Sequence, residues 1–341
     1  MKPDTSTARL REIVDLFSGV TVTILADLVA DEFVFGEISR VSREAPVLIL
    51  KHRERTILPG GGANAINNLA DLNVKVLPVG VLGEDEAGDA LLSIFKRKKI
   101  PLDGVIREKN LPTVTKTRIL AGMTHTSRQQ VVRIDHEPES CLSAQSQRKL
   151  ERAVREYTKR SDALLISDYG YGAATPEAVK SLGEASAAFP IVLDSRYHLL
   201  EYSGITAATP NEPEVEEALN LKIGNDWPKL CSAARQVMSK MKLESLLITR
   251  GRDGMVAFTR DQPPVDIPIF GSDQVVDVTG AGDTVIATFT AALAAGADAI
   301  EAAHLANYAG GIVVMKRGTA TVSGTELLRA LEQSQPATVK H

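Results

Sequence analysis

The chain has 341 residues, of which 44% are hydrophobic, 24% charged and 4% aromatic, so a core can be built mainly from aliphatic side chains. This composition excludes intrinsic disorder and collagen-like repeats, and a formal net charge of −4 provides no basic surface of the kind that binds nucleic acid. Two cysteines cannot build a disulfide framework, and the mixed-charge N-terminus does not have the pattern of a signal peptide, so we expect a cytoplasmic protein.

Short apolar runs alternate with helical patterns along most of the chain. We predict a lead-in with one helix at 1–19, a single domain over 20–335 and a tail at 336–341. The strand candidates lie at 21–26, 74–79, 163–167, 191–194, 205–208 and 245–249. Continuous apolar strands between amphipathic helices predict an α/β fold, with a mostly parallel sheet covered by helices on both faces.

Two segments, at about 33–58 and 113–135, interrupt this alternation. Both lack helical periodicity and carry strand-like runs, such as 116–120 and 130–134. We interpret them as antiparallel strands of a small inserted sheet, a lid over the carboxyl ends of the parallel strands, where open α/β sheets bind ligands. Because the edges of this lid would otherwise be exposed, we also predict a homodimer that forms through it.

The sequence DVTGAGD at 277–283 is the most specific motif, and it leads directly into an apolar helical run. Small residues at a helix N-terminus let backbone N–H groups approach a phosphate, and the helix dipole favours negative charge there. Asp283 would then accept the proton of a hydroxyl that attacks the phosphate. We expect it to be a weak base, because a helix N-terminus stabilises the ionised carboxylate. For Asp283 alone, a simple helix cap is the alternative.

A second glycine-rich motif, PGGGANA at 59–65, opens another predicted helix. It is interpreted either as a hinge between lid and body, with Asn64 presenting its amide to a polyhydroxylated ligand, or as a plain flexible turn. A dinucleotide-binding fingerprint is a weaker alternative, because the next strand ends at Val79-Gly80 without the acidic residue that would hold a ribose.

Polar side chains follow two of the predicted strands. Asp27 and Asp31 can accept two sugar hydroxyls, or they can cap the following turn. Asn211 and Glu214 can hold magnesium-bound water near a phosphate, or they can form an ordinary acidic first helical turn. The sequence contains no P-loop signature and no protein-kinase signature, and its histidines show no metal-ligand spacing.

Together these residues resemble the PfkB/ribokinase family of carbohydrate kinases, over roughly 20–323 and through the motifs at 60–64 and 277–283. A closer similarity is to the kinase half of the bacterial ADP-heptose synthases, which phosphorylate heptose 7-phosphate at O1. It is carried by 39–47, 113–118, 129–135, 167–169, 209–212 and 277–286. The resemblance implies a ribokinase-like fold, an ATP-dependent sugar kinase and Mg²⁺ as cofactor, and it leaves K⁺ open. Activation to an ADP-sugar would then need a separate enzyme.

The resemblance also implies roles for individual residues. Asp283 is the expected base, and Gly280, Ala281 and Gly282 form the anion hole. The residues expected to face the sugar or its phosphate are Asp27, Asp31, Gly61, Gly62, Asn64, Lys116, Arg118, Arg133, Asp168 and Arg196. Those expected on the ATP side are Asn211, Thr249, Gly251, Gly254, Asp277, Thr279 and Asn307, and Asn211 and Glu214 are implied for Mg²⁺.

The chain departs from the heptose kinases at three places. Tyr171 stands where those kinases carry a lysine, and Ser195-Arg196 replaces their Pro-Lys. Tyr171 supplies no positive charge, whereas Arg196 can still bind a phosphate. The excursion at 122–128 is also longer. These departures leave a kinase of another sugar or sugar phosphate as an alternative, beside a catalytically silent sugar- or nucleotide-binding module and an NAD oxidoreductase.

Overall fold

The computed structural model describes residues 5–122, 128–182, 189–271 and 276–333. The strands are β1 (Thr21–Ala26), β2 (Leu28–Val41), β3 (Leu48–Gly60), β4 (Lys75–Gly83), β5 (Val105–Glu108), β6 (Val114–Gly122), β7 (Gln129–His136), β8 (Ala163–Asp168), β9 (Ile191–Ser195), β10 (Ala207–Ala208), β11 (Ser245–Thr249), β12 (Met255–Thr259) and β13 (Val265–Ile267). The helices are α1 (Thr7–Leu16), α2 (Gly61–Asp71), α3 (Glu86–Arg97), α4 (Ala144–Thr158), α5 (Pro176–Lys180), α6 (Glu212–Leu219), α7 (Trp227–Met241), α8 (Ala281–Ala294), α9 (Ala299–Val313) and α10 (Gly324–Gln333).

The main sheet has nine strands in the order β13-β12-β11-β10-β9-β8-β1-β4-β5. All of its pairings are parallel except those of β12 and β13 at one edge, which confirms the mostly parallel α/β sheet. Each predicted strand is present, although the one predicted at 205–208 is reduced to the two residues of β10. The helix predicted in the lead-in is α1, and the predicted tail lies outside the described residues.

Helices cover both faces of this sheet. Ile24 of β1 packs with residues of α1, α2, α3, α8, α9 and α10, whereas its neighbour Leu25 packs with residues of α4, α5, α6 and α7. Successive side chains of a strand point to opposite faces, so one strand contributes to both cores. In the described part of the chain, no helix is long and apolar enough to cross a bilayer.

The lid is a separate four-stranded sheet with the order β3-β2-β6-β7. The pairs within the two predicted segments, β2 with β3 and β6 with β7, are antiparallel, which confirms the prediction, whereas the pair that joins the segments, β2 with β6, is parallel. The reason lies in the main sheet. Strands β2 and β6 follow β1 and β5, which run in the same direction, so both hairpins leave the same edge of that sheet in parallel. The long excursion predicted before β7 falls mostly on 123–127, outside the described residues.

Candidate active site

The predicted site residues gather where the parallel strands of the main sheet end. Asp27 directly follows β1, Asp168 is the last residue of β8, and Asp194 lies near the end of β9. Asn211 follows β10 and forms a parallel bridge with Thr249 at the end of β11. This edge, beneath the lid, is where an open α/β sheet binds its ligands.

Asp283 lies in the first turn of α8 and is buried. Its Oδ1 accepts a hydrogen bond from the Tyr169 hydroxyl at 2.7 Å, and its Oδ2 accepts one from Asn64 Nδ2 at 3.0 Å. The helix begins after Gly280, which has a φ of +80° and where a Cβ would lie 2.5 Å from Asn64 Nδ2. Only glycine fits this close approach, so the motif brings Asp283 against α2 and the loop after β8.

Burial raises the pKa of Asp283 to about 7, and the hydrogen bonds from Tyr169 and Asn64 offset only part of this effect. The expectation of a weak base is therefore wrong. A helix N-terminus stabilises an ionised carboxylate, but removing the carboxylate from water disfavours its charge more strongly. Near neutral pH, Asp283 can both hold and release a proton.

The glycines at the start of α2 allow close packing. A Cβ at Gly62 would lie 2.4 Å from the Cβ of Ala26, and Gly61 has a φ of +50°. Asn64 does not present its amide to open space, as the sequence suggested. Its Nδ2 is used by Asp283, and its Oδ1 accepts a hydrogen bond from Asn68 Nδ2 at 3.3 Å. The packing leaves the flexible-turn interpretation without support, and Asn64 orients Asp283.

The carboxylate of Asp27 is buried and holds the loop after β8. Its Oδ2 accepts the backbone N–H groups of Tyr169 and Tyr171, both at 2.9 Å, and its Oδ1 accepts that of Ala173 at 2.8 Å. Asp168 stabilises the same loop and its neighbours after β9, because its oxygens accept hydrogen bonds from Gly170 N, Ser195 Oγ and His198 Nδ1. Both carboxylates, expected to face the sugar, are already bonded to the protein.

The inner part of the lid carries a cluster of positive charge around Asp31. Arg118 forms an ion pair with this buried carboxylate, and the charges of Arg118, Lys116 and Arg133 oppose the burial that raises the pKa of Asp31. Lys116 Nζ donates to Asp135 at 3.2 Å and to the Tyr171 hydroxyl at 2.8 Å. The lid therefore brings together the three cations that the sequence assigned to an anionic substrate.

A cavity of about 340 Å³ lies on the other side of the α8 N-terminus. It is lined by residues assigned to the nucleotide, namely Thr249, Gly251, Gly254 and Asn307, together with Ala281 and Gly282. Apolar side chains, including Met255 and Val285, complete its walls. One N–H group of the expected anion hole, that of Ala281, already donates to the Val278 carbonyl at 3.2 Å. It could therefore bind a phosphate only while sharing its proton with this carbonyl.

Asp277 and Thr279 do not line this cavity. They lie in a separate cleft of about 700 Å³ between lid and body, together with Phe33, Arg118 and Gly318. The Asp277 carboxylate accepts the backbone N–H groups of Thr279 at 2.9 Å and of Gly318 at 3.0 Å. Direct contact of these two side chains with a nucleotide in the smaller cavity is thus not supported.

Asn211 and Glu214 form a capping box at the start of α6. Asn211 Oδ1 accepts the Glu214 N–H, and Glu214 Oε2 accepts the Asn211 N–H, both at 2.8 Å. Burial raises the pKa of Glu214 to about 7, while the charge of the exposed Arg196 lowers it. Burial and the charges of Glu214 and Asp283 raise the pKa of Asp194 well above its usual range. A divalent cation bound beside Asp194 and Glu214 would relieve this repulsion. Asn211, the other residue expected at Mg²⁺, already uses its Oδ1 in the capping box.

Comparison with known proteins identifies the family. Residues 29–326 match the pfkB family of carbohydrate kinases. The chain belongs to this family. It is 38% identical over 311 residues to the bifunctional protein HldE of Pelobacter propionicus, and 38% identical over 315 residues to that of Geobacter metallireducens. These matches cover 90% and 92% of the chain but only 62% and 63% of the relatives, so the chain spans about three fifths of their length.

Solved structures share the fold of this chain. Arabidopsis thaliana ribokinase, in a complex with ribose and ATP, superposes with a TM-score of 0.73 at 20% identity, over 92% of this chain and 99% of that one. Escherichia coli phosphofructokinase-2, in a complex with potassium, gives 0.72 at 17% identity, over 92% and 98%. The chain therefore has the expected ribokinase-like fold. In its described residues, no group of three or more His, Cys, Asp or Glu side chains is arranged to hold a metal.

Two residues of the kinase site were missed from the sequence. Tyr169 contacts Asp283 directly, and Asp194 joins the acidic group at the ends of the strands. Tyr169 lies within a segment that resembles the heptose kinases, and Asp194 directly precedes the departure at Ser195-Arg196, yet neither has a glycine motif or a spacing that signals its role. Their positions after β8 and at the end of β9 were the available signal, because side chains at that edge converge on the site.

Proposed function

We propose that the chain transfers the γ-phosphoryl group of ATP to a sugar hydroxyl, with Asp283 as the base. The observation that carries this proposal is the position of Asp283, buried at the start of α8 between the apolar cavity and the cationic part of the lid. A nucleotide in the cavity and a sugar beneath the lid would meet at this carboxylate. A base with a pKa of about 7 suits proton transfer near neutral pH.

The residues around Asp283 would have different roles in phosphoryl transfer. The N-terminus of α8, at Gly282, places backbone dipoles where negative charge develops on the transferred group. Asp283 receives the hydroxyl proton, and because the transition state is loose, this proton can leave late. Asn64 keeps the carboxylate oriented. Asp194 and Glu214 would hold Mg²⁺, which, when bound, neutralises charge on the nucleotide phosphates.

We further propose a sugar phosphate as the acceptor, and heptose 7-phosphate, phosphorylated at O1, as the preferred one. The support is twofold. The chain resembles the heptose kinases and is 38% identical to proteins named HldE, and the positive charges of Lys116, Arg118 and Arg133 act together on Asp31 in the lid, where they would suit a phosphate. Lys116 also lies within 2.8 Å of the Tyr171 hydroxyl, so its charge partly replaces the lysine absent at position 171.

The test is ATP-dependent ADP release over a panel of sugars and sugar phosphates that includes D-glycero-D-manno-heptose 7-phosphate. We expect turnover with this heptose, and a decrease of about 10²- to 10⁴-fold in Asp283→Asn, the usual contribution of a general base. Asp261→Asn, which removes an exposed carboxylate in a loop, is the matched control and should keep wild-type turnover.

Two outcomes would contradict the proposal at different levels. If another sugar reacts and the heptose does not, the family chemistry stands and the substrate assignment is wrong, with Tyr171 and Arg196 as the first positions to examine. If ATP binds but no sugar is phosphorylated, the chain is a binding module, and the assignment of Asp283 as a base is wrong as well.

A further inference from the structure

Each oxygen of the Asp283 carboxylate receives a hydrogen bond from a different element. The Tyr169 hydroxyl, from the loop after β8, donates to Oδ1 at 2.7 Å, and Asn64 Nδ2, from α2, donates to Oδ2 at 3.0 Å. Asn64 belongs to the glycine-rich motif, whereas no sequence motif predicted the contact of the Tyr169 hydroxyl with Asp283. A carboxylate oxygen has two lone pairs, so each oxygen can still accept the proton of a substrate hydroxyl.

The loop that carries Tyr169 is held by two sets of contacts, one with Asp27 and one with Gly61. Asp27 accepts the backbone N–H groups of Tyr169 and Tyr171, and it accepts those of Ala173 and Ala174 at 2.8 and 3.4 Å. The Tyr169 ring packs against Gly61, where a Cβ would lie only 3.2 Å from a ring carbon. A buried carboxylate and a close backbone approach therefore fix the phenol, so its position is determined before any substrate binds.

The chemistry of this phenol limits what it can do. Burial and the neighbouring charges of Asp283, Asp194 and Glu214 raise the pKa of Tyr169 well above its usual value, so it remains protonated and acts only as a donor. It cannot accept the proton of a sugar hydroxyl. The charge of Asp31 in the lid acts on Asp283 and raises its pKa. A donor to one carboxylate oxygen stabilises the ionised form and restricts rotation of the carboxylate plane.

We propose that Tyr169 is a positioning residue for phosphoryl transfer, which orients the Asp283 carboxylate and keeps it ionised for its role as base. This inference rests on the proposed function in one respect, namely that Asp283 is the base. The alternative is that the phenol only packs the loop against α2, in which case its hydroxyl has no effect on Asp283.

The pH dependence of kcat separates these two roles. In Tyr169→Phe, we expect the acidic limb of the profile to move to higher pH by about one unit, since a hydrogen bond to a charged group is lost. Activity should be reduced at pH 6 and largely recovered at pH 9. The matched control is Tyr202→Phe, because the Tyr202 hydroxyl donates to the Ala174 carbonyl of the same loop at 3.2 Å and does not reach Asp283. Its acidic limb should not move.

A second substitution keeps the test valid if Tyr169→Phe does not fold. Replacement of Tyr169 by 3-fluorotyrosine retains the ring and makes the hydroxyl a stronger donor, so the acidic limb should move to lower pH. Opposite shifts in the two variants support the proposal. An unmoved limb in the fluorinated protein, a loss of kcat in Tyr169→Phe without any shift of the acidic limb, or an equal shift in Tyr202→Phe would overturn it.

A measurement without turnover distinguishes failure of this proposal from failure of the proposed function. The Cγ resonances of ¹³C-labelled aspartate are followed against pH, and the resonance missing in Asp283→Asn is assigned to Asp283. We expect its titration near pH 7 to move upward in Tyr169→Phe. If it moves but no sugar is phosphorylated, the coupling holds and the kinase assignment fails. If it does not move, Tyr169 does not act on Asp283.

Discussion

At the scale of single residues, the charge inside the lid is nearly balanced by the protein itself. Arg118 is paired with Asp31, and Arg133 donates to both oxygens of Asp135 at 2.8 Å. Lys116 is more adaptable, because its contacts with Asp135 and Tyr171 are made by a flexible ammonium. It is therefore the lid cation best able to turn towards a phosphate on the substrate.

We predict that Lys116→Gln raises KM for a phosphorylated sugar by about tenfold or more, as expected for the loss of one charge-assisted hydrogen bond. KM for ATP should stay unchanged, because the nucleotide cavity lies on the other side of the α8 N-terminus. The same substitution at Lys222, an exposed lysine paired with Glu216, is the control. Steady-state kinetics that show equal changes in both KM values would contradict a role at the sugar side.

The site could be predicted from the sequence only where a residue type belongs to a motif. Asp283 and Asn64 were predicted because glycines mark the starts of α8 and α2, and the structure brings these two side chains together. The use of Asp27 and Asp168 could not be foreseen, because it depends on which backbone N–H groups of the loop after β8 need acceptors. Such needs arise only once the loop is folded over the strand ends.

At the scale of elements, the lid exposes apolar surface on its edge strand. Val131, Val132 and Ile134 of β7 are 43%, 48% and 45% exposed. An edge strand with exposed apolar side chains favours association with another sheet, and a second copy of the chain offers the same surface. The dimer through the lid remains a prediction, and it places its contact on β7.

We predict that sedimentation velocity at micromolar concentration gives a dimer for the wild type and a monomer for Ile134→Asp. A carboxylate in that interface would have to be buried without a partner, which is costly. Leu16→Asp, at an equally exposed leucine on α1, should leave the dimer intact. A monomeric wild type would contradict the dimer, and a dimeric Ile134→Asp would place the interface elsewhere.

The positions of the strands along the chain were predicted better than the pairing of one strand with another. An apolar run shows that a strand exists, but the pairing of β2 with β6 joins residues far apart in the sequence, such as Val29 and Val114. The parallel orientation of this pair follows from the common direction of β1 and β5, which is determined only when the main sheet is assembled. Strand β10 is shorter than its apolar run, because the chain pairs there at only two residues on each side.

At the scale of the whole molecule, carboxylates that are wholly or partly buried gather where the strands of the main sheet end. Burial raises the pKa of Asp27 to about 6 and that of Glu214 and Asp283 to about 7, and burial and the neighbouring carboxylates raise the pKa of Asp194. In the unfolded chain these groups ionise near pH 4. Folding therefore favours their protonated forms, so these carboxyl groups stay protonated at pH values at which they are ionised in the unfolded chain.

This arrangement predicts that stability falls as pH rises from 5 to 8. Between the unfolded and folded pKa values the native state binds more protons than the unfolded state, so the favourable contribution present below pH 4 is lost as pH passes 6 to 7. His198 acts in the same direction, since its partner Asp168 raises its pKa against the opposing effect of burial. His304 opposes it, because burial lowers its pKa and folding then favours the form present at higher pH.

Urea unfolding at pH 5, 6, 7 and 8 measures this slope, and one variant isolates the part due to Asp283. Asp283→Asn removes one titrating group, so the free energy of unfolding should fall less steeply between pH 5 and 7, by up to about 1.4 kcal/mol per pH unit. Asp261→Asn should retain the wild-type slope. If Asp283→Asn retains it too, the folded carboxylate ionises near its ordinary pKa, and Asp283 would be the weak base that its position at a helix N-terminus suggested. A reduced slope would show that the burial that makes Asp283 an effective base also destabilises the fold at neutral pH.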